Sequence, residues 1–503
     1  MDLLFSSLEI IARWDVIAAL FVGSIGGVLV GALPGVGAAV AIAIMLPATF
    51  ILEPIVGLTA LLGVYGSSMF GGAIPAILVN TPGTPVNALT TYDGFPMTKR
   101  GEARRALSLA YSASFFGGIF SILCLMVFAP VLAKIAPMFG AREIFLAALL
   151  GIVMVVLTHR GQVLAAGTLA CFGIFLQTIG IEGTAYTQRY TFGQGWLQNG
   201  IDLIVVVLGI FAISQAFVLF MDSDKNFPMP HIGKRGFFRT MGELFKFKRI
   251  ATVSSAFGVI CGMIPGVGEF MSQFMAYSYA QRTSKTPELF GKGNPEGLIA
   301  SEAANNSVPA AAMVPLLALG IPGEELTAMM LSVFFVHNVI PGPQLFANQM
   351  DFVLALYLCL ILLNILVVLF LFLATDTLMK VMLIPNRFLG MMILTFSLIG
   401  VYSLRNSLKD VFIAVGFGVF GMILKRLDYP TSPVILGIVL GGLMEDKLRT
   451  AMVRVRQPWD FIDRPVAFIL FALIVLALGT HFWTLWKARH GDVVDEIHTD
   501  PPA

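Results

Sequence analysis

Residues 31–37 read GALPGVG and residues 262–268 read GMIPGVG, each inside an apolar stretch. Proline removes a backbone donor and clashes with the preceding turn, at about 3 kcal/mol in a helix interior. In hydrocarbon the freed groups find no water, so broken backbone survives there only where protein or a water-filled cavity surrounds it. A lone proline often gives no more than a kink, and Pro130, Pro137 and Pro385 are read that way. Proline with two glycines ends a helix outright. Each PGVG is therefore expected to be the tip of a helical hairpin or the break of a discontinuous helix.

The surroundings point to a membrane. Of 503 residues 57% are hydrophobic and 12% charged, where soluble domains carry about 25% charged residues. Long apolar runs lie near 104–133, 141–158, 162–181, 200–221, 351–378, 384–403, 409–425 and 464–487. Shorter or interrupted ones lie near 16–33, 36–50, 54–80, 250–264, 266–281, 298–319 and 324–340. A membrane helix needs roughly 20 apolar residues, so the expected fold class is an all-α polytopic membrane protein with about ten to fourteen transmembrane or half-membrane helices. Asp2, Glu9 and Asp15 against Arg13 alone do not fit a cleavable signal, and direct insertion into an inner membrane is expected. Cys124, Cys171, Cys261 and Cys359 lie far apart in apolar segments and read as packing residues, not as a disulfide or metal framework. A net charge of +2 gives no reason to expect nucleic acid or another polyanion as a partner.

The two PGVG copies anchor an internal repeat. VGSIGGVLVGALPGVG (22–37) aligns without gaps on VSSAFGVICGMIPGVG (253–268). GSSMFGGAIPA (66–76) runs against ASEAANNSVPA (300–310), with Pro75 opposite Pro309 and Ser67 opposite Ser301. After a six-residue difference, TPGTPVNALT (81–90) faces IPGEELTAMM (321–330), pairing Pro82 and Gly83 with Pro322 and Gly323. The organisation read from this is a first transmembrane repeat at 16–221, a basic cytoplasmic linker at 222–249, a second repeat at 250–450, and a C-terminal transmembrane helix with a polar tail at 451–503. TKRGEARR (98–105) carries four basic residues and its counterpart NVIPGPQLFANQ (338–349) none; RTSKTPELFGKG (282–293) carries three and its counterpart ATFILEP (48–54) none. Basic loops stay cytoplasmic. The same element thus faces opposite sides in the two halves, which favours inverted-topology repeats with helical hairpins and broken helices over a parallel duplication with lopsided loops.

Helix ends exposed at such breaks can bind ions and polar ligands. The candidate substrate-binding residues are Pro34, Gly35 and Gly37 in the first PGVG, Ser67, and Asn80, Thr81, Pro82, Gly83, Thr84 and Asn87 in the second break. Their second-half companions are Pro265, Gly266, Gly268, Ser301, Asn305, Pro322 and Gly323. Glu269, Glu302 and Asn306 are candidates for the coupling ion. Each has a structural reading as well. Thr84 is placed to cap a helix that begins at Pro85, and Glu324 and Glu325 read as first-turn acids favoured by the helix dipole. Glu269 reads equally as a first-turn acid or as a cation or proton ligand. Ser301 and Asn305 are four apart, on one helical face, and polar groups at membrane depth line a pathway or join helices. His337 and Tyr92 are cavity or structural residues, and Gly117-Gly118 and Gly441-Gly442 read as close-packing positions.

Catalytic signatures are absent: the chain has no HExxH, no GxSxG and no GxxxxGK[ST], and GKGNPEG (291–297) lacks the spacing of a nucleotide loop. Breaks related by internal symmetry point to a secondary transporter without a cofactor, in which helix N-termini hold an anion and unwound carbonyls hold a coupling cation, Na+ or a proton. Two other readings stand beside it. One is a channel whose pore the breaks line; the other is a membrane-embedded enzyme on a lipid-linked substrate, using Glu302 with Glu324 or Glu325.

The blocks GALPGVGAAVAIAIMLP, YGSSMFGGAIPAILVNTPGTPVNALTTYDGFPMTKRGEARRAL and IPGVGEFMSQFMAYSYAQR, with FGKGNPEGLIASEAANNS and GIPGEELTAMM, resemble the TctA family over roughly residues 16–450. That family is the large membrane subunit of tripartite tricarboxylate transporters. The resemblance implies uptake of a di- or tricarboxylate, or a related organic anion, across a bacterial inner membrane, driven by an ion gradient. It also implies two partners: a small membrane subunit (TctB-like) and a periplasmic substrate-binding protein (TctC-like). From the breaks we expect an elevator-like motion in which a mobile unit carrying them shifts relative to the long helices.

Overall fold

The computed structural model describes residues 2–159, 161–183, 186–222 and 242–489, and the chain is helical almost throughout. Most of the expected basic linker and the polar tail beyond Arg489 lie outside the described residues. The first half comprises α1 (Asp2–Ala12), α2 (Trp14–Gly31), α3 (Gly37–Thr49), α4 (Pro54–Val79), α5 (Ala88–Lys99), α6 (Ala103–Ile135), α7 (Ala141–Thr158) and α8 (Val163–Gln177). A small antiparallel hairpin, β1 (Gly180–Ile181) and β2 (Gln188–Arg189), leads to α9 (Leu203–Val207), which runs through a π-helical turn (Leu208–Ile213) into α10 (Ser214–Met221). The second half comprises α11 (Lys248–Met263), α12 (Gly268–Thr283), α13 (Pro295–Leu319), α14 (Glu325–Val336), α15 (Pro343–Asn348), α16 (Met350–Val381), α17 (Asn386–Arg405), α18 (Leu408–Arg426), α19 (Ser432–Met452) and α20 (Pro465–Arg489). Among the described residues eight helices are long and apolar enough to cross a membrane, as an all-α polytopic membrane protein requires.

The PGVG motif is a helix break in both copies, and its glycines are the reason. Gly35 and Gly37 have φ of +79° and +74°, and Gly266 and Gly268 have +84° and +71°. A side chain in that left-handed region costs about 1–2 kcal/mol. Both copies also share the turn bond between, with Val36 N–H donating to the Leu33 carbonyl and Val267 N–H to that of Ile264, each at 3.3 Å. Beyond the break the copies differ. Helices α11 and α12 fold back on each other as a hairpin, with Cys261 Sγ 4.0 Å from Met275 Sδ. Helix α3 instead leaves α2 and packs on α4, α17 and the π turn.

The structure corrects the register of the repeat. Helix α4 ends on Asn80 and α13 on Gly320, both left-handed at φ 56° and 69°. The next amide donates back to a proline carbonyl in each: Thr81 to Pro75 at 3.4 Å, Ile321 to Pro315 at 3.3 Å. Pro75 therefore answers Pro315, not Pro309, and Ser67 answers Ser307, not Ser301. A Cβ built on Gly27 would lie 2.1 Å from Ser67 Oγ, and one on its counterpart Gly258 would lie 2.6 Å from Ser307 Cβ, which fixes the same pairing. The length difference lies before the helix, mostly in the loop, 50–53 against 284–294, because an insertion inside a continuous helix would rotate its packing face.

Packing divides the helices into two groups. Helices α2, α4 and α6 join α11, α13 and α16 in one, with α6 on α13 and α4 on α16 crossing between the halves. Helices α7, α8 and the α9 to α10 segment join α17, α18, α19 and α20 in the other. The long helices α6 and α16 thus belong with the breaks and not opposite them, contrary to the expected division. Ser121 Oγ donating to the Ser307 carbonyl at 2.5 Å and Ser307 Oγ donating to the Gly117 carbonyl at 2.9 Å hold α6 to α13.

Candidate functional site

Helix α13 is buried along nearly its whole length despite carrying SEAANNS, and Glu302, Asn306 Nδ2 and Ser307 find partners in the other half. Glu302 is fully buried, and both its oxygens are occupied. Oε1 accepts from Thr90 Oγ1 at 2.5 Å and from Asn87 Nδ2 at 3.2 Å; Oε2 accepts from Ser114 Oγ at 2.8 Å and from Asn306 Nδ2 at 3.3 Å. A buried carboxylate persists only with such compensation. Asn87 and Thr90 are spaced one turn apart, and Asp93 continues that face of α5. Asp93 accepts from the Gly293 and Asn294 amides at 2.8 and 2.7 Å and from Tyr277 Oη at 2.9 Å. The GKGNPEG loop is therefore a clasp for a carboxylate of the opposite half.

A third junction joins Tyr65 of α4 to Glu324, whose carboxylate accepts from the Tyr65 hydroxyl. The helical role read for Glu324 also holds: it is the N-cap of α14, with its amide donating to Thr327 Oγ1 at 3.0 Å. Glu325 and Glu269 lie in the first turns of α14 and α12. Thr84 stands at the N-cap of the helical turn that begins at Pro85, as expected, but its hydroxyl caps no amide; it donates to Asn87 Oδ1, which keeps the amide of Asn87 turned toward Glu302. His337 is structural, its Nε2 3.1 Å from the Thr49 carbonyl, and Tyr92 is exposed and edge-on to Tyr277.

The remaining candidates separate into three environments. Pro34, Gly35, Thr81 and Pro82 line a cavity of about 540 Å³ between the two helix groups, opposite Gln215, Asp222, Asn386 and Lys425. Gly83, Pro265, Gly266, Pro322 and Gly323 belong to closely packed breaks. Gly83 N–H donates to the Gly72 carbonyl at 3.2 Å and Gly266 N–H to that of Gly323 at 2.7 Å, while Pro265 lies against Gly151. Ile321, the counterpart of Thr81, sits in an apolar cluster with Ala148, Ile152, Ala170 and Leu440. The second-half breaks therefore do not line this cavity. Asn80 is an exposed helix cap, Gly37 and Gly268 start α3 and α12, and Ser301 donates to the carbonyl of Gly297 on its own helix at 3.0 Å. Finally, Ser67 Oγ, both amide atoms of Asn305, Asn306 Oδ1 and Glu269 Oε1 are buried without a hydrogen-bond partner. Among the described residues no three His, Cys, Asp or Glu side chains are grouped to hold a metal ion.

Several site residues escape a reading of the sequence. Tyr65 and Ser114 are isolated from any break inside long, mostly apolar runs, Thr90 follows a break on a helix too short to be seen, and Lys425 reads as an ordinary helix-terminal cation. The i, i+3, i+6 spacing of Asn87, Thr90 and Asp93 is the one signal that could have found the α5 face.

The family model described as "Tripartite tricarboxylate transporter TctA family" matches residues 17–436. The chain belongs to the TctA family. A protein of Agrobacterium vitis named "Uncharacterized 52.8 kDa protein in TAR-I ttuC' 3'region" is 34% identical over 469 residues, covering 91% of this chain and 92% of the relative. A second Agrobacterium vitis protein, "Uncharacterized protein in TAR-II ttuC' 3'region", is 33% identical over 226 residues, covering 44% of this chain and 93% of its own length. No solved structure matches the chain. The TctA match spans both halves and every junction described above, so the broken helices and the clasps between halves lie within the part of the chain that defines a transporter family.

Proposed function

We propose that this protein is the large transmembrane subunit of a tripartite secondary transporter that imports a di- or tricarboxylate, or a related organic anion, across the bacterial inner membrane. A periplasmic binding protein delivers the anion and a small membrane subunit completes the assembly. The observation that carries the reading is the cavity framed by Pro34, Gly35, Thr81 and Pro82, two helix breaks of the first half, at the boundary between two helix groups. Helix ends at membrane depth bind ions, and a boundary of that kind is where alternating access needs one.

In this reading the halves are inverted repeats, and the group carrying the breaks, α6 and α16 included, moves against the other in an elevator-like step. A cation gradient drives it. Glu269, with one buried carboxylate oxygen unpartnered, is the candidate ligand for sodium or a proton. Glu302 is the weaker candidate, since four protein donors already occupy it. The test is uptake of a carboxylate panel into vesicles holding this protein and its small subunit, with the matching binding protein, with and without a sodium gradient. Concentrative uptake supports the reading; flux that only equilibrates the anion supports a channel instead.

A further inference from the structure

Lys425 is the cation of the boundary cavity, and the functional reading of the breaks does not use it. It lies near the C-terminus of α18 and faces Pro34, Gly35, Thr81 and Pro82 across the cavity. Its position is fixed by two bonds, to Gln215 Oε1 at 2.9 Å and to the Phe211 carbonyl at 3.3 Å. Phe211 belongs to the π-helical turn, a distortion that is rare in helices and concentrated at functional sites. An ammonium has three donors, and two are engaged. Glu325 is the acid within electrostatic reach of Lys425. Asp222, the other charged lining residue, is paired with Arg426 at 3.4 Å. The second half offers no equivalent site, because Ile321 there is packed among apolar side chains.

We propose that Lys425, positioned by Gln215 and the π turn, anchors one carboxylate group of the transported organic anion in this cavity. The inference rests on the transport reading above and adds its binding residue. The anion would bridge the two helix groups, with Lys425 on one and the Thr81-Pro82 break on the other. Multivalent anions gain most from such a bridge, since a second carboxylate can reach the opposite wall.

The test measures carboxylate binding by the full-length protein in detergent, as thermal stabilisation by citrate, succinate and acetate, beside uptake by the complete assembly. Lys425→Gln should weaken citrate and succinate binding by roughly tenfold or more, the size of one charge-assisted hydrogen bond. Lys425→Arg should keep part of the binding. Leu383→Trp narrows the cavity from an exposed position while leaving Lys425 in the sequence, and should weaken binding as well. Affinities unchanged in Lys425→Gln and Leu383→Trp would overturn the proposal, as would a parent protein that none of the three anions stabilises. The transport reading is judged separately, by whether the unaltered assembly with its binding protein concentrates any carboxylate.

Discussion

Thr90 Oγ1 and Glu302 Oε1, from opposite halves of the chain, lie 2.5 Å apart at a carboxylate that is fully buried. Four donors from α5, the turn before it, α6 and α13 converge on that one group. Leaving a buried polar group unsatisfied costs about 1–3 kcal/mol, and several such groups would be stranded at once if the carboxylate were removed. Glu302→Ala, which strands two hydroxyls and two amides, should therefore lower the thermal midpoint sharply or abolish insertion. Thr90→Val should cost about 1.5–3 kcal/mol, the loss of one hydrogen bond to a charged group. Melting of the two variants in detergent checks this, and a Glu302→Ala protein as stable as the parent would refute the junction.

The bond between Tyr65 and Glu324 is a second, independent tie between the halves. Tyr65→Phe keeps the ring and removes only the hydroxyl. The expected cost is about 1–3 kcal/mol. A double-mutant cycle with Glu324→Gln should give a coupling energy above about 0.5 kcal/mol, since residues in contact do not act additively. Additive effects would mean that the two side chains do not meet.

The two PGVG breaks, most of the helices and the repeat were legible in the sequence because each leaves a local mark: proline with glycine, apolar length, or a duplicated string. The register inside α4 and α13 was not, since SSMFGGAIPA and SEAANNSVPA match locally while Pro75 and Pro315 are equivalent only through the helix ends they terminate. Helix α19 was missed because Glu445, Asp446, Lys447 and Arg449 load its second half with charge, of which Glu445 pairs with Arg189 and Arg449 with Glu182, far away in sequence. Site chemistry was legible by residue type but not by partner. Glu302 looked like an ion ligand, yet three of its four donors come from positions more than 180 residues away.

Gly26 and Gly27 are neighbours on α2 with opposite surroundings. A Cβ at Gly27 would sit 2.1 Å from Ser67 Oγ and 2.6 Å from the Val64 carbonyl, whereas one at Gly26 meets nothing within 4 Å. Gly27→Ala must push α2 off α4, at about 1–3 kcal/mol or more. Gly26→Ala should be neutral or stabilising by up to about 1 kcal/mol, from helix propensity alone. Thermal midpoints of the pair decide it, and equal effects would contradict the close approach of the two helices.

Arg105 grips Glu243 through two bonds, at 2.5 and 3.1 Å, and holds its carboxyl below the ordinary value. A depressed carboxyl contributes stability above its unfolded pKa, and that contribution is lost as pH falls through the folded one. The gap between the parent and Glu243→Gln should thus be constant from neutral pH down to about 4.3, the ordinary carboxyl value, and shrink below it. Both side chains are partly exposed, so the gap should be no more than about 1 kcal/mol. Melting curves taken at pH 7 and at pH 4 and below test the sign.

Asn305 separates structure from transport. In the corrected register it stands where Tyr65 stands, and Thr84 stands where Glu324 does. The first pair is bonded; the second is not, because Thr84 has turned to Asn87. Both amide atoms of Asn305 are left buried and unpartnered. An unsatisfied buried polar group costs about 1–3 kcal/mol, so Asn305→Ala should leave stability unchanged or raise it. If the amide waits for the transported anion, uptake by the same variant should fall roughly tenfold or more, the equivalent of one hydrogen bond to a charged group. Asn87→Ala, which strips Glu302 of a donor, should lose stability and uptake together. Uptake at the parental rate in Asn305→Ala would remove that residue from the substrate path and leave its amide a cost of folding alone.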